Sequence, residues 1–285
     1  MRSLFESQGI NRSDLGEILT ANMGESNKVF NWRSSDSENT FNSKIKEGKK
    51  LYWKDKSIQY KYNEQGFRLP YDFNNEDKGI VTLGCSFTEG IGLPYVYTWG
   101  YKLAKYLNLK HWQLAQGGMG LETAYRLLLG WHDKLLIKQV FLFAPPMFRN
   151  EFIIQDNELA KLHLENNKDA SFIHTMGSNL KKKIFANIKS ENENFFKSII
   201  FGSNKNELIR QMRCISAIKG LCSEIGVPFY YQTHQSFNTD KNHKIASEIP
   251  NNICPDIPAR DKHWGAKAQH LIYTNFLKLY EDNNR

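Results

Sequence analysis

No stretch of this 285-residue sequence strings together the roughly 20 apolar residues that a membrane-spanning helix requires. The first residues, MRSLFESQGINRSDLGEIL, carry Glu6, Asn11, Arg12 and Asp14 where a signal peptide needs an unbroken apolar core. Both absences lead to the expectation of a soluble, cytoplasmic protein. Cysteine is sparse: Cys85, Cys214, Cys222 and Cys254 are scattered without Cys-x-x-Cys spacing, which argues against a disulfide framework and against a thiolate zinc site. The eight histidines show no His-Glu-x-x-His or similar spacing, so no metal is expected. Gly117-Gly118-Met119-Gly120 does not match Gly-x-Gly-x-x-Gly, and no acidic ribose partner follows it, so no dinucleotide cofactor is expected either. No internal repeat is visible.

What is present suits a folded globular chain: 40% of residues are hydrophobic and 13% aromatic. The net charge of +8 admits an anionic partner such as nucleic acid, an acidic glycan or a phospholipid surface. The lysines are spread along the chain, however, and read as a solvated surface, so nucleic acid is not the expected partner. Lys181-Lys182-Lys183 with Phe185, followed by Phe195 and Phe196, reads as a helix with one solvated and one buried face; its functional version is a lid over an anionic or sugar substrate.

Two regions are expected. Residues 1–75 form an accessory segment. It holds a short helix over 14–22 capped by Ser13, a polar loop, and a hairpin candidate over 50–62 closing at Asn63-Glu64-Gln65-Gly66. Residues 76–285 form the main domain. Strands are predicted over 80–83, 111–114, 139–144 and 227–232, alternating with helices over 98–107, 122–134, 205–225 and 266–282. Trp99, Leu103, Tyr106 and Leu107 are expected on the inward face of the first helix. This rhythm indicates a three-layer α/β/α sandwich around a parallel, flavodoxin-like sheet. The Lys- and Asn-rich stretch over about 150–204 lacks strong strand signals and reads as a helical insertion or lid.

Ligands of parallel α/β sheets bind beyond the carboxyl ends of the strands, so the residues just after each strand come first. Ser86 follows the first strand in Gly84-Cys85-Ser86-Phe87-Thr88. By itself, a serine after a glycine there reads as a cap or turn residue. Gly117 and Gly118 follow the second strand and allow close backbone approach. Asp261-Lys262-His263-Trp264 precedes the last helix. A serine needs a neighbouring base, which His263 can provide, and Asp261 can fix the imidazole tautomer and stabilise the imidazolium. Arg68 and Arg126 are candidates for the cleft wall.

These three segments, in this order, resemble the blocks of the SGNH (GDSL) hydrolases. Gly84-Cys85-Ser86-Phe87-Thr88 is similar to the first block, Gly118 to the oxyanion glycine of the second, and Asp261-Lys262-His263-Trp264 to the last. The Asp-x-His-Trp spacing resembles the branch that includes polysaccharide O-acetylation and deacetylation proteins. The likeness implies a catalytic triad of Ser86, His263 and Asp261, and an oxyanion hole from Ser86 and Gly118. Two departures stand out. Cys85 replaces the Asp of the first block, and Ala144-Pro145-Pro146-Met147-Phe148-Arg149-Asn150 replaces the Gly-x-Asn-Asp of the third. The third oxyanion donor is then Asn150, a cation on Arg149, or absent, and loss of one donor costs about 3–4 kcal/mol of transition-state stabilisation. Substrate contacts are expected from Gly117, Arg149 and Arg126.

The resemblance implies hydrolysis of an acyl ester, acetyl on a carbohydrate first, with no cofactor. Transfer of the acyl group to a sugar hydroxyl uses the same residues. A non-catalytic protein that keeps the fold and binds a glycan or another anion is the alternative from a different class. The α/β-hydrolase elbow is set aside, because Thr88 stands where Gly-x-Ser-x-Gly requires its last glycine.

Overall fold

Alternation of side chains along the predicted strands decides how the layers form. The computed structural model describes residues 26–33, 36–46, 58–146, 149–153, 172–176, 204–234, 248–249 and 265–284. Strands β3 (Lys78–Gly84), β4 (Lys110–Ala115), β5 (Leu136–Ala144), β8 (Phe229–His234) and β9 (Glu248–Ile249) make a sheet ordered β4-β3-β5-β8-β9. Every neighbouring pair is parallel. With β3 counted as the first strand of the sheet, the order is the flavodoxin-like 2-1-3-4-5.

Successive residues of one strand face opposite sides. Val81 and Leu83 of β3, with Val140, Leu142 and Ala144 of β5, pack with Leu127, Leu128 and Trp131 of α4 (Leu121–Trp131) and Ile218 and Leu221 of α5 (Asn204–Glu224). Ile80, Phe141, Phe143 and Tyr230 turn the other way. They meet Trp99, Leu103 and Ala104 of α3 (Trp99–Tyr106) and Ala268, Ile272 and Phe276 of α6 (Ala266–Asn283). The protein is therefore a three-layer α/β/α sandwich, as its strand–helix rhythm indicates. Thr98 caps α3, its hydroxyl accepting from the Tyr101 N–H at 3.4 Å. Tyr106 is the exception to the inward face: it is 53% exposed and its hydroxyl donates to Glu281 of α6. An amphipathic ring at a helix end can lie along the surface with its hydroxyl in a polar contact, and here it does.

In the accessory segment, the described end of the hairpin candidate is a strand. β2 (Tyr60–Lys61) pairs antiparallel with β1 (Val29–Phe30), and α1 (Glu38–Lys46) follows β1. The Asn63–Gly66 turn does form: Gly66 N–H donates to Asn63 O, and the Phe67 N–H donates to Asn63 Oδ1 at 2.8 Å. The predicted helix over 14–22 and residues 50–57 of the hairpin candidate lie outside the described residues. Ile58, Tyr60 and Tyr62 form a buried cluster with Ile91 and Leu93. Phe67, Leu69 and Phe73 join the core on the α4 side. The described part of the segment is thus packed on the main domain.

Within the stretch read as a helical insertion, the described residues are strands. β6 (Arg149–Ile153) and β7 (Phe172–Met176) pair antiparallel, Glu151 opposite His174. Cross-strand pairing to a distant partner is invisible to a search for local periodicity. Lys181–Lys183, Phe185, Phe195 and Phe196 lie outside the described residues. No helix among those described is long and apolar enough to cross a membrane.

Candidate active site

Ser86 opens α2 (Ser86–Glu89), a single turn following directly on β3. Gly84 makes that turn possible. Its φ of +153° is rarely adopted by side-chain-bearing residues, and a Cβ there would collide with Thr88 Oγ1. Cys85, extended at φ −116°, is the N-cap, and its side chain makes no capping bond. Cys85 is fully buried. As the first helical residue, Ser86 has an N–H without an acceptor inside the helix. Its side chain is nearly buried, with 6% exposure.

The second glycine segment lies against this turn. Gly84 and Ala115 are in register at the carboxyl ends of β3 and β4. A Cβ on Gly117 would lie 3.8 Å from Ser86 Cβ and 3.3 Å from Glu89 Oε2. Gly118 has a left-handed φ of +89°. The Gly117 N–H is already committed, donating to Glu89 Oε2 at 2.5 Å. The third segment arrives next to the same loop: a Cβ on Gly120 would collide with Arg149 O. Arg149 Nη1 is buried without a hydrogen-bond partner among the described residues. Asn150 lies in β6 opposite Thr175.

Asp261 and His263 lie outside the described residues, but the helix that follows them does not. Gly265 is the N-cap of α6. One turn into that helix, Gln269 accepts from the Trp99 N–H at 2.8 Å and donates from Nε2 to Phe87 O at 2.7 Å. The amino end of α6 is therefore bonded to the residue next to Ser86, across 182 positions of sequence. Ala266 packs beside Ile91 and Leu93, the continuation of the same loop.

Arg126 is 7% exposed, and its Nε and Nη2 donate to both carboxylate oxygens of Glu151 at 2.8 and 2.6 Å. It clamps α4 to the β6–β7 hairpin, and the Glu151 N–H adds a bond to Glu122 at 2.8 Å. Burial raises the Glu122 carboxyl above its usual range. Arg68 does not line the cleft. It is fully buried beneath the loop that follows Ser86, donating to the carbonyls of Glu89, Gly90 and Leu93 at 2.9, 2.6 and 2.5 Å. Its guanidinium stacks on Tyr60, 4.1 Å from the ring centre, and burial lowers its pKa.

Sequence reasoning missed Glu89, Tyr62 and Gln269. Gln269 left a trace: it interrupts the apolar stripe of Ala268, Ile272 and Phe276 and is itself 1% exposed. Glu89 left none, since its partners are distant in sequence. No group of three His, Cys, Asp or Glu side chains suited to a metal occurs among the described residues.

No family model matches the chain, and no curated protein matches it. Among solved structures it is similar to a carbohydrate esterase whose active site displays divergent catalytic and non-catalytic binding functions. The TM-score is 0.39 with 11% identity, over 74% of this chain and 70% of that one. A likeness this distant assigns no chemistry, which has to come from the residues.

Proposed function

We propose that the protein is a serine-dependent ester hydrolase of SGNH type acting on an acyl ester, acetyl on a carbohydrate being the substrate class its sequence blocks favour. One observation carries the reading: α6 begins at Ala266, two residues after Trp264, and its Gln269 donates to the carbonyl of Phe87 beside Ser86. With about 1.5 Å of rise per helical residue, Ala266 lies within about 5 Å along the axis of Gln269. The reading requires His263, three residues before Ala266, to reach the Ser86 turn, and three extended residues span at most about 11 Å.

In this reading Ser86 Oγ attacks the acyl carbon as His263 takes its proton, with Asp261 holding the imidazole. The N–H groups of Ser86 and Gly118 receive the developing oxyanion, with Asn150 as the third donor. His263 then passes the proton to the leaving alcohol. Water, deprotonated by His263, releases the acid and restores Ser86. Gly117 contributes close backbone approach. Arg149, whose main chain lies against Gly120, is the candidate cation, and Arg126 acts one step back by holding the strand that carries Arg149. Transfer to a sugar hydroxyl differs only in the acceptor of the second step.

The purified protein is expected to hydrolyse p-nitrophenyl acetate and to be labelled at Ser86 by a fluorophosphonate, with both lost in Ser86→Ala. The departure of the third block from Gly-x-Asn-Asp motivates the second reading, a glycan-binding protein on the same fold. It predicts no turnover of any ester, no label on Ser86, and glycan affinity unchanged in Ser86→Ala.

A further inference from the structure

Glu89 is a carboxylate with no exposed surface, three residues after the proposed nucleophile. A buried charge is costly unless its oxygens are bonded. Both oxygens of Glu89 are: Oε2 accepts the Gly117 N–H at 2.5 Å, and Oε1 accepts the hydroxyl of Tyr62. Tyr62 is itself fixed, since Arg33 Nε donates to its oxygen at 3.0 Å. The Glu89 main-chain carbonyl is held by Arg68 at 2.9 Å. One side chain thus joins the nucleophile turn, the glycine loop and the N-terminal segment.

We propose that Glu89, oriented by Tyr62, is a positioning residue that sets the distance between the two oxyanion-donating loops. The inference rests on the reading of Ser86 as a nucleophile. The Ser86 and Gly118 N–H groups stand on loops after different strands. Beyond the register of Gly84 with Ala115, the hydrogen bond from Gly117 to Glu89 joins those loops. Gly117 immediately precedes the donor, so the Glu89–Gly117 bond sets where the Gly118 N–H points. An oxyanion hole works only when its donors already stand where charge develops, and a displacement of 1 Å costs on the order of 100-fold in rate. The N-terminal segment, through Tyr62, is then part of the active-site framework.

The test compares kcat and KM for p-nitrophenyl acetate, per active site titrated with fluorophosphonate, in Tyr62→Phe, Glu89→Ala and Glu89→Gln. Tyr62→Phe is expected to lower kcat about tenfold and Glu89→Ala about 100-fold, both with KM within about twofold. Glu89→Gln keeps an acceptor for the Gly117 N–H and should retain most of the rate. A role in stability alone would lower the melting temperature while leaving kcat per titrated site unchanged, and that result overturns the proposal. A loss confined to KM overturns it too. If Glu89→Ala does not fold, Tyr62→Phe decides, because it removes one oxygen and keeps the ring. A wild-type protein that neither turns over ester nor takes the label sinks the nucleophile reading and this inference with it. A labelled wild type with unaffected variants sinks this inference alone.

Discussion

His111 sits in β4 with both ring nitrogens engaged, Nε2 with Thr82 Oγ1 at 2.7 Å and Nδ1 with Tyr95 Oη at 2.8 Å. Burial lowers its pKa to about 3. Below about pH 6.5 the unfolded chain takes up a proton here that the folded protein refuses, so stability is present above that pH and falls as pH drops toward about 3. The loss attributable to this one residue reaches about 4–5 kcal/mol at full span. Melting temperature measured from pH 7 down to pH 4 should fall in the wild type and fall less in His111→Gln. Equal slopes would show that the acid sensitivity comes from other groups. The same residue illustrates a limit of reading single letters: the sequence assigns His111 to a strand, but its neutrality follows from burial, and its partners lie 29 and 16 positions away.

At the scale of elements, the β6–β7 hairpin shows how a segment without strong local preference is fixed from outside. Arg126 and Glu151 have side-chain exposures of 8% and 5%, and their bonds span 25 residues. Removing one partner from a buried pair strands the other charge, at a cost of about 3–5 kcal/mol. Arg126→Leu should therefore destabilise the protein by about that amount in urea denaturation, whereas Arg126→Leu with Glu151→Leu should recover part of it. A double variant no better than the single one would show that Glu151 is stabilised mainly by its other contacts. The long helices needed no such outside help to be recognised. α5 and α6 occur within two residues of their predicted bounds, because an apolar stripe and terminal signals are local properties.

For the whole molecule, the decisive connection is that of α6 to the first crossover. Gln269 satisfies the Trp99 N–H, an orphan donor at the start of α3, and donates to Phe87 O. Gln269→Leu keeps the size of the side chain but removes both of these bonds and leaves the buried Trp99 N–H without its acceptor, an expected loss of about 2–4 kcal/mol. Because α6 also carries the Asp261–Trp264 segment on its amino side, ester turnover per labelled site should fall in the same variant. Unchanged turnover would mean that the segment finds Ser86 without this tether. The accessory segment also belongs at this scale: Tyr60 and Tyr62 are buried with Ile91 and Leu93, and Arg68 is buried beside them.

By itself the sequence determined the layers. Strand alternation, helix stripes and glycine-ended strands depend on neighbours a few residues away, and the sheet, the order of its helices and the turn bearing Ser86 follow from them. Only the tertiary structure decided which polar groups meet: Glu89 with Gly117 and Tyr62, Arg68 with three carbonyls, Gln269 with Phe87, Arg126 with Glu151. Such pairings depend on burial and on distances across the fold, and neither is written in the spacing of residues along the chain.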